Sequence, residues 1–227
     1  MALINKDSKL QEVILQEPTV IPVINRFGIN IGVGDGSIES ICDKHGLDTD
    51  FFLTILNTFI NEEYFPENTL KSFKVSALVN YLTKTAMAYM RFQLPNIERH
   101  LNFLTTTSSG QNNLVLIQRF FNELKADLEK SIEYDLKHWF PQIIETQNCN
   151  TKDSILEIIP ERNEAIEDKL HDLKNMFIVH LKGSDFDQNL CYAVVVAIIA
   201  LEKDFRQNNR IRERILRPLC QTLINKQ

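Results

Sequence analysis

The chain has 227 residues, 25 Lys and Arg against 30 Asp and Glu for a formal charge of -5, and 44% hydrophobic residues with only 7 Gly and 7 Pro. That balance excludes disordered, low-complexity and collagen-like classes and suits one large domain, or a medium and a small one, of mostly helical structure. The acidic balance argues against general nucleic-acid binding, and four cysteines far apart (Cys42, Cys149, Cys191, Cys220) with no C-x-x-C pair signal neither a zinc site nor a disulfide framework, so reduced cytoplasmic thiols are expected.

The opening MALINKDSKL places an acidic residue where an apolar leader core would continue, so it does not read as a signal peptide. Leu10, Val13 and Ile14, then Val20, Ile21, Val23 and Ile24, make short apolar faces separated by Pro18, and Gly28 stands where a helix stop is needed. GINIGVGDGS, with Gly28, Gly32, Gly34 and Gly36, has no strand before it and no Lys or Thr after its last glycine. It reads as a tight connection rather than a phosphate cradle. Ser37 caps a helix to His45, Gly46 ends it, and Asp48 or Thr49 caps the next, whose face is Phe51, Phe52, Ile55, Leu56 and Phe59. The pair has the outline of a helix-turn-helix, but its second helix opens with Asp48 and Asp50, the wrong sign for phosphate.

NEEYFPEN, Asn61 to Asn68, has the composition of a linker, which divides the chain into a small helical domain over 1–66 and a larger one over 67–227. Four long helical patterns follow. The first runs from about Val75 to Thr105 and is expected to kink at Pro95; the second runs from about Asn112 to Ile144 and breaks near Pro141. Gln147 to Thr151 reads as a loop, the third helix covers about Arg162 to Leu181 before Gly183, and the fourth follows from Asp185. Four such helices with short connections bury their apolar stripes against each other, an up-down-up-down bundle. The run Leu190 to Leu201 is short of the roughly 20 residues that span a bilayer. It predicts a helix buried on nearly all sides, where Ala197→Asp would unfold the bundle. Arg206, Arg210, Arg212, Arg214 and Arg217 read as a solvated basic face with one or two side chains turned inward.

Two helices carry one template: Ser131-x3-Asp135-x4-Phe140-Pro141 and Asn208-x3-Arg212-x4-Arg217-Pro218, a polar pair one turn apart and then a proline stop. Together with Arg26-Phe27-Gly28 and its glycine turn, Leu94-Pro95 and Ile215-Leu216-x-Pro218, this order of markers resembles the repair-of-iron-centres family, the iron-sulfur cluster repair di-iron proteins, over nearly the whole chain. The resemblance implies an all-α protein, with a small N-terminal helical domain over 1–66 and a hemerythrin-like up-down-up-down four-helix bundle over 67–227. In that family histidines and bridging glutamates hold two irons in the bundle. Carried over position by position, the ligand pattern falls on Met87, Ser131, Asp135, Leu170 or (with a one-residue shift) His171, Asn208 and Arg212. An arginine stays protonated and cannot ligate a cation, and the paired cysteines of many members are replaced by Gly32 and Val33.

The resemblance therefore implies ancestry without its chemistry: a metal-free, non-catalytic paralogue with a regulatory or protein-interaction role, no catalytic or cofactor-binding residues, and a metal-binding relative or a second copy as partner. Neither a membrane nor nucleic acid is expected as partner, and the cytoplasm is the expected location. The alternatives are an iron-binding stress-response protein, for iron-sulfur cluster repair or nitric oxide handling, whose non-standard site would draw on Asp135, His138, Glu167 and His171, and a DNA-binding regulator using Arg206 to Arg217. His45, His100 and His180 are read as complements to helix ends. Arg212 is expected to turn inward and pair with Asp135, converting a repulsion between two inherited acids into an ion pair.

Overall fold

The computed structural model describes residues 3–65, 73–108, 112–148, 164–181 and 186–225, and they form an all-α protein. The helices are α1 (Leu10–Gln16), α2 (Ile21–Arg26), α3 (Ile38–His45), α4 (Thr49–Ile60), α5 (Val75–Ala88), α6 (Leu94–Thr107), α7 (Asn112–Tyr134), α8 (Phe140–Asn148), α9 (Glu164–Asn175), α10 (Gln188–Ile211) and α11 (Arg217–Asn225). Among the described residues no strand forms beyond one antiparallel bridge, Lys9 to Ser37, and none of their helices is long and apolar enough to cross a membrane. The expected third helix start at Arg162 and the ends at Gly183 and Asp185 lie outside the described residues. So do residues 66–68 of the linker and Cys149 to Thr151 of the loop after α8.

One compact unit draws on the described residues within Met1–Lys84, Pro141–Ile159 and Gln207–Gln227. Its small helices start and stop where local chemistry requires. The Ser37 hydroxyl accepts from the Ser40 N–H at 3.2 Å, and the Asp48 carboxylate from the Phe51 N–H at 2.9 Å, so Asp48 rather than Thr49 is the cap. After α2, Gly28 donates to the Asn25 carbonyl at 2.9 Å and Ile29 to the Ile24 carbonyl at 3.1 Å. This closure needs a left-handed residue, and Gly28 supplies it at φ 82° without the roughly 1–2 kcal/mol that a Cβ costs there. Gly46 repeats the device at φ 63°. The rest of Arg26-Phe27-Gly28 is packing. Arg26 is buried, donates to the Tyr81 hydroxyl at 3.4 Å and lies 5.9 Å from that ring, while Phe27 meets Phe52 edge-on at 4.9 Å.

The other unit draws on the described residues within Thr85–Phe140 and Pro160–Arg206. Here α6 packs on α7 and α7 on α9, around a core to which α10 contributes Cys191, Val194, Ile198, Leu201 and Phe205. These follow a 3-4 spacing, so from Cys191 to Leu201 the buried face of α10 is a single stripe, while beyond it Glu202, Asp204, Gln207, Asn208 and Asn209 are buried as well. The opposite face is open: Tyr192 is 62% and Val196 64% exposed, and Ala197, between the faces, is half-buried. Burial of the Leu190 to Leu201 run on nearly all sides is thus corrected. An uninterrupted apolar run carries no information about which side a neighbour will cover.

The prolines do not stop the helices. Pro95, Pro141 and Pro218 each sit second in a helix, and each helix is preceded by a π turn: Tyr89–Gln93, Asp135–Trp139 and Arg212–Leu216. A proline within an α-helix lacks one N–H and clashes with the carbonyl four residues back. One inserted residue relieves both problems: the N–H before each proline bonds five residues back, Leu94 to the Tyr89 carbonyl, Phe140 to Asp135 and Arg217 to Arg212. The template read as a helix ending is therefore a mid-helix widening, and α8 and α11 carry on past it. A fourth π turn, Met176–His180, follows α9.

Candidate functional site

The positions onto which the resemblance carries the ligand pattern are placed as follows. Asp135 and Asn208 are each 4% exposed and Leu170 is fully buried, while Ser131, Met87 and Arg212 are half-buried. His171, the alternative to Leu170, is exposed at the adjacent position of α9, so the inward group is an alkyl chain. Asp135 and Arg212, expected to pair, fall in different compact units, and both make polar, charged or ring contacts. These positions carry a thioether, a hydroxyl, an amide, an alkyl group, a guanidinium and one carboxylate, and that set of residue types does not fit a di-iron centre, which needs several imidazoles and carboxylates.

One polar cluster of the second unit lies between α9 and α10. The Glu202 side chain is 5% exposed; it accepts from Lys174 Nζ at 2.6 Å and Arg206 Nη2 at 3.4 Å, and lies 3.3 Å from His171 Nδ1. Glu167, one turn before His171 and also buried, lies 3.9 Å from Arg206 Nε. Two desolvated carboxylates are thereby balanced by cations of the chain itself, and this arrangement lets such charges stay buried. Helical spacing produces it: Glu167, His171 and Lys174 share one face of α9, and Glu202 and Arg206 share one face of α10.

The four groups considered for an improvised metal site do not converge. Asp135 is buried, but His138 points out and lies against the Tyr134 ring at 5.5 Å, and Glu167 and His171 belong to the cluster with Arg206 and Glu202. Among the described residues no three His, Cys, Asp or Glu side chains meet in a way that could hold a metal ion. His45 and His180 do end their helical segments, whereas His100 lies within α6 and complements no terminus. Thiol chemistry is also suppressed: burial pushes the Cys42 and Cys220 thiols up to about 11 and raises that of Cys191, so all three are protonated at neutral pH.

Most of the basic cluster is engaged within the chain. Arg210 donates to the Thr58 carbonyl at 3.3 Å and to Glu62 at 2.7 Å, and Arg214 to the Glu62 and (at 2.8 Å) Tyr64 carbonyls. Arg217 pairs with Glu213 at 2.9 Å. Arg210 and Arg214 thus satisfy carbonyls at and beyond the C-terminus of α4, where a cation also complements the helix dipole. Arg214→Ala is expected to lower stability by about 0.5–1.5 kcal/mol, because one half-buried and one exposed carbonyl lose a charged donor. Thermal melts check this, with Arg214→Lys recovering only part of the loss because one ammonium does not reproduce the guanidinium fork.

Two features were missed at the level of sequence. Glu202 is not singled out by the sequence analysis, although its i, i+4 relation to Arg206 marks it. The first long helix repeats the proline template as Thr85-x3-Tyr89-x4-Leu94-Pro95, with Thr85 and Tyr89 buried; its offset from Pro95 could have found it. Compared with protein-family models, curated proteins and solved structures, the chain finds no match.

Proposed function

We propose that this chain is a metal-free, non-catalytic paralogue of the hemerythrin-like iron-sulfur cluster repair proteins, acting through protein contacts in regulation, with 1–66 as its N-terminal domain and 67–227 as its bundle. One observation carries the reading: the buried carboxylates of the α9–α10 layer are neutralised by Lys174 and Arg206, so a divalent cation would have to displace ion pairs already made. The residues at the inherited ligand positions support the same conclusion, since only Asp135 among them is an anionic donor. The engagement of Arg210, Arg214 and Arg217 within the chain weighs against the DNA-binding alternative, because phosphate contacts need accessible cations.

Metal analysis of protein purified from iron-supplied cells tests the proposal. Substoichiometric iron and no oxo-bridged di-iron absorption are expected. About two irons per chain, lost together with stability on chelation, would instead establish the iron-binding alternative.

A further inference from the structure

The outer face of α10 has the pattern of an interface. Tyr192, Val196 and Ile199 are 62%, 64% and 41% exposed, and with exposed Asn189 and Lys203 they continue a 3-4-3-4 spacing along one side of the helix. No charged residue occurs from Gln188 to Leu201. A helix apolar on both sides needs a second cover, and an exposed apolar stripe of this kind marks an interaction surface.

We infer that this stripe pairs with the same stripe of a second copy of the chain, antiparallel, about a two-fold axis at Val196. Two features of the stripe select that occupant. It is self-complementary in size: with Val196 opposite itself, Tyr192 falls opposite the partner's Ala200 and Ile199 opposite the partner's Ala193, so each large side chain meets a small one, and exposed Ala193 and Ala200 let the backbones approach. The polar ends also match, Asn189 facing Lys203, while the middle offers no charge by which a charged partner would be recognised. One helix-on-helix contact is much smaller than the roughly 800 Å² per partner of a standard stable interface, so the dimer forms reversibly. This deepens the protein-interaction reading by naming the partner, and it is independent of the metal content on which that reading is tested.

Sedimentation velocity of the full chain, from micromolar to near-millimolar concentration, should show a monomer–dimer equilibrium. Val196→Glu places two like charges on the axis and should weaken it at least about tenfold, with the melting temperature of the dilute protein unchanged. In a Cys149→Ser background, Val196→Cys should cross-link to itself on oxidation and Ala126→Cys, exposed on α7, should not. A single monomeric mass throughout, self-association indifferent to Val196→Glu, or equal cross-linking at both positions would overturn the inference, whatever the iron content proves to be.

Discussion

Ile198→Glu is expected to abolish the folded bundle, whereas Val196→Glu, two residues earlier on the same helix, leaves its stability nearly intact. Ile198 is fully buried, in the stripe with Val194 and Leu201 that faces the core. Glutamate there forfeits the packing of a buried aliphatic side chain, about 2–5 kcal/mol, and adds an unpaired charge in a poorly hydrated interior, several kcal/mol more. That sum rivals the roughly 5–15 kcal/mol by which domains are stable at all. Val196 is 64% exposed, and substitution at such sites stays within about 0.5 kcal/mol. Far-UV circular dichroism and melting curves of dilute protein separate the two. Equal losses in both variants, or an Ile198→Glu protein that melts like the parent, would refute the assignment of faces. Ala197→Asp, at the half-buried margin, falls between them rather than unfolding the chain.

The second large effect is expected at Lys174. Its ammonium is the nearest cation to Glu202, whose side chain is 5% exposed, and Lys174 itself is 21% exposed. Lys174→Met keeps the packing of the stem but leaves the carboxylate to Arg206 and His171, whose side chains are 49% and 52% exposed. These are partly solvated and more distant, so they cannot replace it. Removal of one partner from a buried pair costs about 3–5 kcal/mol, discounted to about 3 by the remaining Arg206 guanidinium. For a protein of this size that shifts the melting temperature by roughly 6–12 °C. Adding Glu202→Gln should restore more than half, since the stranded charge is then gone. The exposed pair Lys137–Glu133, with side chains 65% and 55% exposed, serves as control, and breaking it should cost well under about 1 kcal/mol. Additive losses in the double variant Lys174→Met, Glu202→Gln would show that the two residues are not coupled.

Much of the fold was legible because its signals are local. Ser37 and Asp48 cap helices through their own side chains and a backbone N–H three residues on, and Gly28 and Gly46 stop helices because only glycine enters the left-handed region without strain. Helical spacing of apolar residues was enough for the all-α class. The candidate site was less legible. His171 stands out in the sequence as a histidine next to a position of the resembled ligand pattern, yet Leu170 is the buried group, and nothing in the sequence marks as partners Lys174 and Glu202, which make the shortest pair of the cluster at 2.6 Å. Their meaning depends on α9 and α10 lying side by side, which residues 28 positions apart do not announce.

The sequence by itself determined where most helices begin and end, that the cysteines form no closely spaced ligand pair, and that Met87, Ser131, Asp135, Leu170, Asn208 and Arg212 are no di-iron ligand set, because each of these follows from residue type and short-range spacing. Only the tertiary structure decided which side of α10 is covered, that Pro95, Pro141 and Pro218 each follow a π turn, the last two instead of ending helices, and that Arg210 and Arg214 hold the end of α4. Each of those outcomes balances a local preference against burial by elements distant in the chain, and that balance exists only once the chain has folded.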